Sequence, residues 1–140
     1  MEIKFKRLWD GVKKPYKANP GDAGYDLYAA SVEMRGDGRQ VCYHTGIAVE
    51  IPEGYVGLLY MRSSSVHKAC RMANATGVVD SGYRGEITAV FDIIDRGNIY
   101  EEGDRCCQLV IVPVPAVEYI EVEELSVSER GAKGYGSSGR

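Results

Sequence analysis

The chain has 140 residues, a formal charge of −3 and 44% hydrophobic residues, which fits one domain with a core large enough to fold without staples. The acidic balance argues against a nucleic-acid coat, which needs a basic face, and no apolar run approaches the ~20 residues of a membrane span. Residues 1–7 carry no long apolar stretch after their charges and do not read as a secretory signal, so the cytoplasm or another reducing compartment is expected.

Ile3 and Phe5 alternate with Lys4 and Lys6, which predicts a short opening strand with one buried face. Pro15, Pro20 and Gly21 punctuate a loop before Tyr25-Asp26-Leu27-Tyr28-Ala29, where Tyr25, Leu27 and Ala29 share one face and Asp26 takes the other. Gly36-Asp37-Gly38 reads as a turn. Residues 41–51 form a strand-rich run ended by Pro52-Glu53-Gly54, and residues 55–61 continue as a strand.

Arg62-Ser63-Ser64-Ser65 leads into residues 66–72, the one stretch that reads as helix. Serines there can simply cap it. The same spare N–H groups and hydroxyls also make an anion site.

Gly77-Val78-Val79-Asp80-Ser81-Gly82-Tyr83-Arg84-Gly85-Glu86 predicts a hairpin, with Ser81-Gly82 as its turn and residues 87–91 as the return strand. Asp80 and Tyr83 then face each other across its mouth. A carboxylate beside a stacking ring suits a general base, although an ordinary surface turn has the same composition.

Gly97-Asn98 is a turn, and residues 105–112 form a strand in which Gln108 offers a donor and an acceptor on one amide. Pro113 and Pro115 break the ladder, residues 116–122 give a last strand, and Leu125 closes the fold. Residues 1–125 therefore make the domain, and residues 126–140 a Gly/Ser-rich arm of flexible composition. Short strands between turns predict an all-β, jelly-roll-like sandwich or barrel with at most one short helix.

Adjacent Cys106 and Cys107 should point to opposite strand faces. With no Cys-x-x-Cys and no zinc spacing to His44 or His67, buried free thiols are expected rather than a zinc site.

Five stretches in order resemble the motifs of the trimeric dUTPases. They are Ala23-Gly24-Tyr25-Asp26-Leu27-Tyr28-Ala29, Arg62-Ser63-Ser64, the run from Gly77 to Glu86, Gly103-Asp104-Arg105-Cys106-Cys107-Gln108-Leu109, and Arg130-Gly131-Ala132-Lys133-Gly134-Tyr135-Gly136-Ser137-Ser138-Gly139. The resemblance implies hydrolysis of dUTP to dUMP and pyrophosphate, which limits uracil in DNA and supplies dUMP for dTMP synthesis. It assigns Asp80 to activating the water that attacks the α-phosphorus. Asp26 would meet Mg2+ through water, the ion being held mainly by substrate phosphates.

By the same resemblance Arg62, Ser63, Ser64, Gln108, Arg130 and Ser137 bind phosphates. Asn74, Gly77 and Val79 meet the uracil, and Tyr83 lies under the sugar. Tyr135, with Gly136 and Ser138, belongs to an arm that closes over the nucleotide. A homotrimer with shared active sites is implied, with no nucleic-acid or membrane partner.

The chain departs from the family at Met61 and Ser65, which flank the second motif, and at Cys106-Cys107, Lys133, Tyr135 and Ser138. Three rival readings are a nucleotide sensor without hydrolysis, the sibling dCTP deaminase and a structural jelly roll. The intact Asp80 and Tyr83, the absence of a glutamate-centred deaminase pattern and the spacing of Arg62, Gln108 and Arg130 argue against them in turn.

Overall fold

The computed structural model describes residues 1–134. Within them β1 (Lys4–Arg7) pairs with β5 (Ile47–Glu50) in a small two-stranded sheet. A four-stranded sheet runs β2 (Tyr25–Tyr28), β10 (Arg105–Pro113), β6 (Tyr55–Met61), β8 (Gly77–Val79). A second runs β3 (Ser31–Arg35), β4 (Gln40–His44), β9 (Thr88–Ile93), β7 (Cys70–Met72). Every pairing between these strands is antiparallel.

Period-two alternation explains the layering. Leu27, Leu59 and Leu109 of one sheet meet Val41, Tyr43, Ala89 and Phe91 of the other in a single buried core, closed by Ile47 and Val49 of β5. The all-β sandwich is as expected. Among the described residues there is no α-helix, only three 3-10 turns, and no helix long and apolar enough to cross a membrane.

Tyr43, Phe91 and Tyr100 pack edge to face with ring centroids 5.3–6.0 Å apart. The fully buried Tyr43 hydroxyl donates to the Tyr100 carbonyl and accepts from the Tyr100 N–H, both at 3.1 Å. Tyr43→Phe would leave both main-chain groups without a partner inside the core. It should lower the unfolding free energy by roughly 2–4 kcal/mol, measured by denaturant titration with the slope unchanged.

The structure corrects several local expectations. The run from Gly77 onward is not a hairpin: β8 pairs with β6, while β9 pairs with β4 and β7 in the opposite sheet. Its turn is present, closed by the Tyr83 N–H donating to the Asp80 carbonyl at 3.0 Å, but that turn begins a crossing between sheets. Residues 66–72 are not a helix. Ser63–His67 is a 3-10 turn, and β7 alternates with Cys70 and Met72 buried and Arg71 exposed.

The run 41–51 breaks at Thr45-Gly46, and Gly46 takes φ +66°, a left-handed turn that sends β4 and β5 into different sheets. No strand forms over 116–122. Pairing stops at Pro113, and Val117, Tyr119, Ile120 and Leu125 are left exposed. Cys106 and Cys107 do not take opposite environments either. A bulge between Arg105 and Cys107 inserts one residue opposite β2, so both thiols are fully buried with their sulfurs 3.8 Å apart.

Candidate active site

The first, second and fourth motifs converge on one cavity of about 280 Å³, lined among others by Gly24, Asp26, Arg62, Ser63, Arg105 and Gln108. The register explains the convergence. Asp26 pairs with Gln108 across β2 and β10, and β10 in turn sets Cys107 opposite Met61, the residue before Arg62. The bulge turns Arg105 toward Asp26.

The Asp26 carboxylate is gripped from two sides, by Arg62 Nε at 2.8 Å and by Arg105 Nη1 at 3.0 Å. Arg62 Nη1 also donates to the Ser64 hydroxyl at 3.0 Å, and the Arg105 guanidinium lies 5.1 Å from the Tyr16 ring centroid. Gln108 Nε2 donates to the Met61 carbonyl at 2.9 Å. Gly24 makes room for that amide, because a Cβ there would stand 3.0 Å from Gln108 Oε1 and 3.3 Å from the Leu109 carbonyl.

Forked guanidiniums, a serine hydroxyl and an amide are the donors that phosphate oxygens accept from. As for the implied magnesium, one carboxylate already held by two arginines does not chelate a cation by itself. It fits an ion carried by phosphates and touched through water, since Mg2+ keeps much of its hydration.

Asp80 and Tyr83 lie elsewhere. β8 is an edge strand, so one side of its main chain is free of ladder partners. Asn74 stands over it, its Nδ2 3.7 Å from where a Gly77 Cβ would be, and Val79 is buried. Asp80 is exposed, and its carboxylate makes no hydrogen bond among the described residues. Arg84 Nη1 staples the turn by donating to the carbonyls of Ser81 and Tyr83 at 2.6 and 2.9 Å, and the Tyr83 hydroxyl donates to the Glu86 carbonyl at 2.9 Å.

The two groups of residues are far apart within the chain. Val79 sits opposite Gly57, which puts Asp80 level with Val56, six positions along β6 from Arg62. At strand spacing that is ~20 Å. One chain therefore assembles an anion pocket at one end of β6 and a carboxylate, ring and free strand edge at the other.

Arg130 is exposed, with Nε donating to the Lys133 carbonyl at 3.3 Å, and lines neither group. The expectations for Tyr135, Gly136, Ser137 and Ser138 fall outside the described residues. Arg105 and Tyr16 were missed as site residues. The signal for Arg105 was available: it opens the strand bearing Gln108, inside the fourth motif. Tyr16 had none, because its place depends on an isolated bridge to Asp26.

The cysteines are free and buried. Burial raises the thiols of Cys42 and Cys70, and the Cys106 contact followed by burial holds Cys107 well above the usual range. The ligating atoms of Glu33, Cys42 and His44 lie within 4.8 Å of one another, a proximity that sequence spacing did not reveal because β3 supplies Glu33. Arg35 already occupies that glutamate with two hydrogen bonds, and His44 binds it too, so the group is an ion-pair network.

The family model described as dUTPase matches residues 10–139. A deoxyuridine 5'-triphosphate nucleotidohydrolase of Nocardia farcinica is 42% identical over 98% of this chain and 85% of its own length. The Thermobifida fusca protein of the same name is 39% identical over 99% and 79%. Among solved structures, the Staphylococcus bacteriophage 80alpha dUTPase with dUPNHPP superposes with a TM-score of 0.84 at 34% identity, covering 99% of both chains.

Proposed function

The chain belongs to the dUTPase family, and from that premise we propose how its residues divide the hydrolysis of dUTP to dUMP and pyrophosphate. The observation that carries the division is the separation of an anion pocket around Arg62 and Arg105 from the exposed Asp80 at the far end of β6.

In this reading the triphosphate enters the pocket. Arg62, Ser63, Ser64, Arg105 and Gln108 donate to its oxygens, and the arginines exchange part of their hold on Asp26 for phosphate. Mg2+, bound to the phosphates and met through water by Asp26, would supply charge neutralisation. Asp80 takes a proton from the water that attacks the α-phosphorus, and the bond to the bridging oxygen breaks to release pyrophosphate.

Uracil lies against the free edge of β8, near Asn74, Gly77 and Val79, where main-chain N–H and C=O groups pair with it as another strand would. Cytosine reverses the donor and acceptor at two positions and leaves buried groups unpaired, a strong rejection. Thymine adds a methyl that meets the closely approaching main chain. The Tyr83 ring lies under the sugar and leaves no room for a 2′-hydroxyl.

No single chain brings its own Asp80 to its own Arg62, so the site is completed between subunits of a homotrimer. The exposed apolar run after Pro113 supports this, since Tyr119 is 97% and Leu125 88% accessible in the isolated chain. Side chains of that size are normally covered. Arg130 and the residues beyond it would reach a neighbouring site as a closing arm. We assign the protein to a reducing compartment, in keeping with its four free, buried thiols.

Pyrophosphate release from dUTP, but not from dCTP, dTTP or UTP, is the result expected with magnesium present. Ammonia release from dCTP, or tight dUTP binding without product, would replace this reading by one of its rivals. Deleting the residues after Glu129 should remove most of this activity while leaving the thermal midpoint nearly unchanged. Strong amide protection of that segment without nucleotide would contradict a closing arm.

A further inference from the structure

Glu86 ends the crossing that carries Asp80 and Tyr83, and both of its carboxylate oxygens are occupied. The Gly46 N–H donates to Oε1 at 2.8 Å, and His44 Nδ1 meets Oε2 at 3.0 Å. Its main-chain carbonyl is the acceptor for the Tyr83 hydroxyl. On the other side of the imidazole, His44 Nε2 meets Glu33 Oε2 at 3.1 Å, and Arg35 holds the same oxygen from Nε and Nη2 at 3.0 and 2.8 Å. A continuous relay thus runs from β3 through His44 and Glu86 to the phenol of Tyr83.

The relay matters because the crossing has no ladder of its own. The bonds of Arg84 and the Asp80 turn are internal to it. They fix its shape but not its place on the sheets. Ile87 anchors one end, with its N–H donating to the Ile47 carbonyl at 2.8 Å and its carbonyl accepting from the Thr45 hydroxyl at 2.6 Å. The other end leaves β8, whose Val79 pairs with Gly57, so residues 80–86 form a loop tied at its two ends and free to flex between them. The Glu86 side chain supplies the tie that seats this loop against His44 and Gly46, and it lies on the residue whose carbonyl receives Tyr83.

We propose that His44 and Glu86 are positioning residues for sugar selection, holding the Tyr83 ring where it excludes a 2′-hydroxyl. The proposal rests on the reading of Tyr83 as the surface under the sugar.

The chemistry of the relay gives it a signature. A protonated imidazole donates to both glutamates, whereas a neutral one turns a bare nitrogen toward one of them. The hydrogen bond to Glu86, then that to Glu33, raises His44 above its ordinary 6.5, against partial desolvation. The Arg35 hydrogen bond, then that of His44, keeps Glu33 below the usual carboxylate range. The other groups beside His44 are Ser31 opposite on β3 and Thr88 opposite on β9, both uncharged, and Cys42, whose thiol burial keeps protonated. A raised folded value means that the tie is complete below pH 6.5 and is lost as pH rises through His44's higher folded value.

The test measures kcat/KM for dUTP and UTP from about pH 6 to 9 in wild type, His44→Ala, Glu86→Gln and Tyr83→Ala, together with amide exchange of residues 80–87. Both relay side chains are partly exposed, at 25% and 21%, so the variants should fold; thermal midpoints check this. The wild-type preference for dUTP should decline as pH rises through His44's titration. In His44→Ala it should be lower by about tenfold and flat with pH.

Amides of the crossing should exchange about tenfold faster in that variant, with β9 unchanged. If Tyr83→Ala shifts the preference while His44→Ala leaves it and its pH profile intact, the proposal is overturned. If Tyr83→Ala shifts nothing, the sugar reading falls, and the exchange data decide whether the relay positions the crossing. Equal exchange in His44→Ala and wild type overturns it in either case.

Discussion

Asp80→Asn should lower kcat for dUTP by at least ~10²-fold while leaving nucleotide affinity close to that of wild type. The Asp80 carboxylate is exposed at the turn and makes no hydrogen bond among the described residues. A structural carboxylate at a turn would be spent on main-chain N–H groups, as Asp95 is on the Gly97 N–H at 2.9 Å. An unspent one can take a proton from water. Asparagine keeps the size and cannot accept that proton. The phosphate donors sit on other elements, so binding survives. Single-turnover pyrophosphate release with saturating dUTP separates the two quantities, and near-wild-type turnover would remove Asp80 from the chemistry.

The sequence was most legible where function depends on a few residues in a row. The Asp80–Tyr83 turn, the strand presenting Gln108 and the pocket side of Asp26 all appear where their motifs indicate. Partnership between strands was the harder matter. Ile87, Ala89 and Phe91 alternate identically whether β9 returns along β8 or crosses to β4, because alternation tells which face is buried and nothing about the neighbour. β7 was misread for a related reason. Three residues of period two, after a 3-10 turn, resemble the end of a helix.

The bulge that buries both Cys106 and Cys107 and aims Arg105 at Asp26 has no sequence signature here, since it lies between two strands whose pairing is non-local. Residues 116–122 carry a strand-forming composition but find no strand partner among the described residues. Alternation within one chain says nothing about a neighbour outside it.

Asp80→Ala and Arg62→Ala proteins should each be dead alone and should rescue each other when unfolded and refolded together. Asp80 and Arg62 lie at opposite ends of β6, six positions apart by register, so in the proposed shared site they come from two subunits. In randomly mixed trimers of equal amounts, about a quarter of the sites combine an intact Asp80 with an intact Arg62 pocket. Recovered pyrophosphate release should approach that share of wild type. Arg62→Ala leaves Asp26 paired with Arg105, so the mutant pocket keeps its charge partner and the subunit should still assemble. The diagnostic control is mixing without unfolding, which should stay inactive for as long as subunits do not exchange. If mass analysis proves that mixed trimers have formed and activity is still absent, Asp80 and Arg62 of the same chain must meet after a rearrangement of β6 and β8. The fixed pairing of Gly57 with Val79 and Leu59 with Gly77 opposes that outcome.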